Sequence, residues 1–334
     1  MEGMRNKLTN TSNSPLLYPG GKGKISSFVG NVLRDNGIDG TYVEPFAGGA
    51  GVAINLLLAD NVRNVIINDL DDGVYSFWKT VLTDPDYILR RIKQVPFDYA
   101  KSSERFLPAD YARYWNDVKK RFDFNHYQDY RQKGFDFFML NRMNVSGIIK
   151  GGPIGGHSQS GRYNISARFN KKTLCRRIER ISQLSERITL TNLEASYFCS
   201  LIADGKYCDT DNSLIFVDPP YYEQGRNLYS SFATDKIHSL IAERLMEESK
   251  WKWILTYDKT PQINNLYSSD KVKKYEYEIT YSANKRGRYA EYLFTSPALR
   301  VNSFDNVTLH DLRSVGGEQE QHNSQKPLQC SQDL

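Results

Sequence analysis

The sequence predicts an α/β fold: a doubly wound, mainly parallel sheet interrupted by an inserted lobe. Three observations carry this expectation. Residues 41–69 read as strand, glycine-rich turn, helix and second strand; short apolar runs alternate with helical stretches from 187 to 258; and between 85 and 170 that alternation breaks down. With 334 residues, the chain can build such a core without disulfides or a structural metal.

In chain order, TYVEPFAGGAGVAINLLLADNVRNVIIND (41–69) supplies the first strand up to Glu44, a turn, an apolar helix and a second strand over VIIND. RITLTN (187–192) and SLIFVD (213–218) are further buried strands, with a helical stretch from Glu194 to about Ala203 between them. An amphipathic helix from Thr234 to Ser249, which Thr234 can cap, leads into the strand WKWILTYD (251–258). KVKKYEYEITYSA and RYAEYLFTS alternate near period two around Asn-Lys-Arg-Gly, the pattern of a hairpin. The main domain therefore comprises 1–84 and 171–300, and 85–170 forms an inserted domain. Residues 301–334 are polar and without a period, which predicts a flexible tail.

Composition removes several classes of protein. Mean hydropathy is −0.58 and no run approaches the roughly 18 apolar residues of a membrane span. The first residues lack a signal-peptide core, so a cytoplasmic location is expected. Cys175, Cys199, Cys208 and Cys330 form no CxxC pair, and the five histidines are scattered, so neither a disulfide framework nor a zinc site is expected. The acidic run Asp69-Leu70-Asp71-Asp72-Gly73 is not a calcium loop, because Thr80 stands where a bidentate Glu would fall.

The charge is uneven. Net charge is only +5, yet residues 137–178 contain no Asp or Glu and carry Arg142, Lys150, Arg162, Arg168, Lys171, Lys172, Arg176 and Arg177. That leaves 36 of the 44 cations to face 39 acids elsewhere, so all the excess positive charge lies in this one segment. Cations interleaved with Asn, Ser, Gln and Gly suit a phosphate backbone and base edges, although a solvated basic loop would look the same.

Two motifs carry chemistry. In Glu44-Pro45-Phe46-Ala47-Gly48-Gly49-Ala50-Gly51, glycines let a ligand approach the backbone, and Asp69, at the end of the next strand, can accept ribose hydroxyls. An adenosine-containing cofactor is implied, but a nicotinamide oxidoreductase or a plain strand-to-helix turn would show the same loop. Asp218-Pro219-Pro220-Tyr221 decides between them. It falls where the buried strand LIFV runs out, at the carboxyl edge where open α/β sheets bind ligands. The lone pair of a base's exocyclic amine is conjugated into the ring. Two acceptors, the Asp218 carboxylate and the rigidly placed Pro219 carbonyl, favour a pyramidal nitrogen able to attack. Pro220 adds a fixed φ without a competing donor, and Tyr221 offers a face for base stacking.

These motifs resemble the Dam-type (class alpha) DNA adenine methyltransferases over roughly residues 14–300. Tyr18-Pro19-Gly20-Gly21-Lys22 is similar to the family's aromatic-x-Gly-Gly-Lys opening, with Tyr18 where some members carry Trp. VEPFAGGAG resembles its glycine loop, with Ala50 in place of the last Gly of Phe-x-Gly-x-Gly. Leu140-Asn141-Arg142-Met143-Asn144-Val145-Ser146-Gly147 is similar to its LNR-x-x-x-N-G segment, with Ser146 in place of the Asn, and Gly161-Arg162-Tyr163-Asn164 to its G-x-[FY]-N. The resemblance implies a Rossmann-like methyltransferase that uses S-adenosyl-L-methionine, held by Tyr18, Lys22, Glu44, Pro45, Phe46, Gly48, Gly49, Asp69, Glu194 and Asp218. It makes 85–170 a target-recognition domain and double-stranded DNA the substrate, contacted by Arg142, Asn144, Lys150, Arg162, Asn164, Arg168, Lys171 and Lys172. The target adenine would be flipped out of the duplex, and Asp218, Pro219, Pro220 and Tyr221 would form the catalytic motif. The sulfonium methyl is already activated, so no metal is required, and a cognate restriction enzyme is a possible partner. A cytosine-N4 or RNA-adenine methyltransferase, or a catalytically idle DNA-binding protein of this fold, would share much of the pattern.

Overall fold

The computed structural model describes residues 8, 11–18, 20–99, 106–222, 235–247, 251–279 and 290–312. Its centre is an eight-stranded sheet with strands in the order β3-β2-β1-β4-β5-β7-β6-β8. The strands are β1 (Thr41–Glu44), β2 (Asn64–Asn68), β3 (Ile188–Thr191), β4 (Ser213–Val217), β5 (Trp253–Tyr257), β6 (Lys273–Ile279), β7 (Ala290–Thr295) and β8 (Val307–Asp311). The first five in spatial order are parallel and the last three are antiparallel additions. The expected hairpin is the β6–β7 pair; the Asn-Lys-Arg-Gly connection lies outside the described residues.

Double-sided burial explains the apolar strands. Tyr42, Val65, Ile67, Leu214, Phe216 and Ile254 enter one core, whereas Val43, Ile66, Ile215, Val217, Trp253 and Leu255 enter the other, following the period of two along each strand. The first core is covered by α1 (Ser26–Asp35), α2 (Gly51–Leu58), α3 (Asp72–Thr83), α4 (Pro85–Gln94), α5 (Pro108–Phe124), α6 (Tyr130–Met143) and α7 (Lys171–Ser182). The second is covered by α8 (Ala195–Ala203), α9 (Asp235–Glu247) and α10 (Pro261–Leu266). Thr234 and Ser249, the expected limits of α9, lie outside the described residues.

Two features refine the expected organisation. Among the described residues, the inserted segment has no core of its own: Trp115 and Val118 of α5 and Phe137, Phe138 and Leu140 of α6 join the cluster that contains Phe77 and Trp78 of α3. The expected flexible tail does not begin at 301. β8 pairs with β6, matching Leu309 to Tyr277, and Val307 is buried, so residues up to 312 belong to the sheet. The polar composition misled because an edge strand buries only one face. Residues 313–334 lie outside the described part. Among the described residues no helix is long and apolar enough to cross a membrane, and no cluster of His, Cys, Asp and Glu is arranged to hold a metal.

Candidate active site

Parallel strands bring the ends of β1, β2 and β4 to one edge of the sheet, where a cavity of about 490 Å³ opens. Buried Asn68 ties the strand ends together. Its Nδ2 donates to the Pro45 and Leu193 carbonyls at 2.9 and 3.0 Å, and its Oδ1 accepts from the Leu193 amide at 2.9 Å. The glycine turn is fixed from both sides. The Trp78 indole donates to the Gly48 carbonyl at 3.0 Å, and Asp69 Oδ2 accepts from the Gly48 amide at 2.7 Å. Gly48 has a φ of +47°, and a Cβ there would meet the Tyr18 ring at 2.6 Å, so the aromatic ring can lie across the turn only because glycine occupies the position. Ala50, which replaces a family glycine, adopts the left-handed conformation itself, with φ 47° and ψ 37°. That strain costs about 1–2 kcal/mol.

Tyr18, Lys22, Glu44, Phe46, Gly48, Gly49, Asp69, Asp218 and Pro220 all line the cavity. Glu44 Oε1 accepts from the Ala53 amide near the start of α2 at 3.1 Å, and burial raises its pKa to about 8. Desolvation, then the like charge of Asp71, raises that of Asp69 to about 7. Both Asp69 oxygens have backbone donors, since Oδ1 accepts from the Asp71 amide at 2.9 Å; each keeps a second lone pair.

At the tip of β4, Asp218 Oδ1 accepts from Lys22 Nζ at 3.0 Å and from Thr256 Oγ1 at 2.6 Å. Burial raises the Asp218 pKa in spite of both donors. Burial disfavours charge on Lys22, but Asp218, Tyr277 and Glu291 outweigh it and hold the ammonium well above its ordinary pKa. Tyr221 is tied in by its hydroxyl, which accepts from Lys22 Nζ at 3.1 Å and donates to Glu291 Oε1 at 2.5 Å. Pro219 is buried and, like Pro45, does not line the cavity; the Pro45 carbonyl accepts from Asn68.

Several residues expected to contact cofactor or DNA have partners within the chain itself. Glu194 does not line the cavity. Its carboxylate caps α8, accepting from the Ser196 hydroxyl and from the Ser196 and Tyr197 amides, and these bonds together outweigh burial to lower its pKa. Arg142 is 8 % exposed and donates through Nε and Nη2 to the Arg168 carbonyl, while burial lowers its pKa to about 9. Asn144 is fully buried: Oδ1 accepts from the Trp115 indole at 2.7 Å and Nδ2 donates to the Ile148 carbonyl at 2.8 Å. The Asn164 side chain accepts from the Ser166 amide, and Lys171 Nζ donates to the Lys93 and Val95 carbonyls at the end of α4. Lys150, Arg162, Arg168, Lys172 and Arg176 remain exposed. The segment abuts the cavity wall, because Asn141 exchanges hydrogen bonds with the Leu17 backbone and Arg177 donates to the Ser14 carbonyl at 2.9 Å.

Thr256, Tyr277 and Glu291 are site residues that the motifs did not reveal. Glu291 had one signal: within the strand AEYLFT it shares its face with Leu293 and Thr295, both buried, so it is a charge in phase with core positions.

An α/β domain whose glycine turn shares one cavity with Asp218 and Pro220 of an Asp-Pro-Pro-Tyr strand end has the features of a methyltransferase acting on a base amine. The chain belongs to the D12 class of N6 adenine-specific DNA methyltransferases, whose family model it matches over residues 18–283. It is 26% identical over 226 residues to the Type II methyltransferase M.MjaIII of Methanocaldococcus jannaschii, covering 66% of this chain and 72% of that protein. Two structures of the rRNA methyltransferase aviRa from Streptomyces viridochromogenes align with 84% and 86% of this chain and with 86% and 91% of their own. Their identities are 14% and 13%, and their TM-scores 0.37 and 0.38.

Proposed function

We propose that the chain transfers the methyl group of S-adenosyl-L-methionine to N6 of an adenine flipped out of double-stranded DNA at a specific site. The observation that carries this reading is the placement of Asp218 and the glycine turn on the walls of a single cavity, which Lys22, paired with Asp218, also lines. The cavity volume falls in the range of small-molecule sites. The Gly48 cradle, the Asp69 carboxylate and the lining Tyr18 suit an adenosine with a charged tail. When bound, the cofactor supplies an electrophilic methyl group on sulfur.

The protein's part is alignment and polarisation. Among the described residues both donors to Asp218 meet Oδ1, which leaves Oδ2 to accept one N–H of the amine, while the Pro219 carbonyl accepts the other. With the cofactor bound, the amine nitrogen would take the methyl group while sulfur would leave with the electron pair of its bond to carbon. The resulting N6 cation sheds one proton through Asp218 to water. Asp218 acts as a polarising acceptor, since that proton becomes acidic only as the new bond forms. The exposed cations of 137–178 supply phosphate contacts that offset the few kcal/mol lost in unstacking the base.

The test is to incubate the purified protein with methyl-tritiated S-adenosylmethionine and plasmid DNA, then digest the product to nucleosides. Label in N6-methyldeoxyadenosine is expected. Label in N4-methyldeoxycytidine, or in RNA offered in parallel but not in DNA, would overturn the reading.

A further inference from the structure

We infer that Glu291, beyond the residues matched by the family model, is a positioning residue for the Asp-Pro-Pro-Tyr motif, acting through Lys22 and Tyr221. The inference rests on the function proposed above. It starts from sheet geometry. β7 runs antiparallel to β5, so the amino end of β7 lies at the same edge as the carboxyl ends of the parallel strands. Glu291 is the second residue of β7 and stands opposite Tyr277 of β6. Its side chain is 19 % exposed, and its two oxygens meet donors from three separate segments. Oε1 accepts from the Tyr221 hydroxyl at 2.5 Å; Oε2 accepts from the Tyr277 hydroxyl and lies 3.3 Å from Lys22 Nζ.

The consequence is electrostatic. Lys22 is 7 % exposed and lies between two carboxylates, 3.0 Å from Asp218 and 3.3 Å from Glu291. An ammonium paired with Asp218 alone would withdraw charge from the oxygen atoms that must polarise the incoming amine. Glu291 takes the second share of that cation, so Asp218 keeps its strength as an acceptor, and Lys22 still has a partner when the amine engages Asp218. The same carboxylate holds the Tyr221 hydroxyl and thereby sets the plane of the ring against which the base stacks. Tyr277, held opposite by the β6–β7 ladder, orients Glu291 in turn.

The test compares Glu291→Gln, Glu291→Asp and Tyr277→Phe with the parent in full-length protein, using plasmid DNA and tritiated S-adenosylmethionine. Glu291→Gln removes the charge and keeps an acceptor. It should lower kcat about 10- to 100-fold, leaving the KM for S-adenosylmethionine and its calorimetric Kd within threefold of the parent. Glu291→Asp should recover part of the loss, and Tyr277→Phe should lower kcat less than Glu291→Gln does. In a double-mutant cycle, Lys22→Met should mask most of the Glu291→Gln effect, which a merely structural role would not produce. A kcat for Glu291→Gln within twofold of the parent would overturn the inference, as would additive losses in the cycle. Should Glu291→Gln not fold, a kcat for Glu291→Asp or Tyr277→Phe that falls only in proportion to lost folded protein would overturn it too. Asp218→Ala run alongside separates the two readings: an active Asp218→Ala defeats the proposed function itself, whereas an inactive one beside a fully active Glu291→Gln defeats only this inference.

Discussion

Polar residues at the carboxyl edge of the sheet converge on a cavity, whereas many of those in the acid-free segment act as internal braces. Tyr18, Lys22, Asp69 and Asp218 line one space, while Arg142, Asn144, Asn164 and Lys171 bond to amides, carbonyls or an indole of their own chain. The difference reflects where backbone groups are left over. Parallel strands satisfy one another's backbone up to their last residue, so the carboxylates just beyond, Asp69 and Asp218, keep acceptor capacity for a ligand beside their internal partners. Between α6 and α7 the chain forms only two short 3₁₀ turns, Val145–Gly147 and Ile165–Arg168, so side chains there and at the flanking helix ends satisfy stray carbonyls and amides. A polar residue in a loop is therefore weaker evidence of ligand contact than one at a strand tip.

The sharpest way to break this comparison is Asp218→Ala, expected to lower methyl transfer by about 10²-fold or more with DNA binding nearly unchanged. Substantial turnover by this variant, measured as tritium incorporated, would show that the strand tip is not the reacting edge. Next in size, Asn144→Ala should cost about 2–3 kcal/mol in urea unfolding, because it strands the Trp115 N–H and the Ile148 carbonyl inside the protein. Weakened DNA binding at full stability would instead return Asn144 to the interface.

A third effect follows from Glu44. Its pKa is about 8 in the fold against an ordinary 4.5, so between those values the folded state holds a proton that the unfolded chain releases. Stability from this group is complete below pH 4.5, falls as the pH rises and is lost above 8. Ligand-free protein should melt several degrees lower at pH 8 than at pH 5, and Glu44→Gln should flatten that slope; an equally steep slope in the variant would assign it to other groups. The smallest effect belongs to exposed cations. Replacing Lys172 and Arg176 with Gln should reduce the slope of log binding constant against log salt by about 1–2, whereas Lys171→Gln should lower stability more than the slope. Equal slopes for the double variant and the parent would remove these side chains from the phosphate contacts.

Much of the parallel half was legible from the sequence. The runs ending at Glu44, Asn68 and Val217 are apolar at every central position because both faces are buried, and that pattern has few alternative readings. The fit of Asp218 and the glycine turn to one cavity was legible for the same reason, since parallel neighbours must end at one edge. What stayed hidden depended on contacts between distant segments. Glu291 is 70 residues from Tyr221 and reaches it only through the antiparallel turnover of β7. Arg142 reads as a surface cation until α6 is seen to bury nearly its whole last turn. β8 carries a single well-buried residue, Val307, too little for a periodic signal.

The outer position of β8 bears on how short this protein can be made. Trimming the gene to the 18–283 span of its family would delete Glu291 outright, and stopping at residue 300 would uncover the β6 edge whose Tyr277 is matched to Leu309. Either truncation leaves the recognisable motifs whole, so a shortened product that bound cofactor yet turned over slowly would trace its defect to the discarded end.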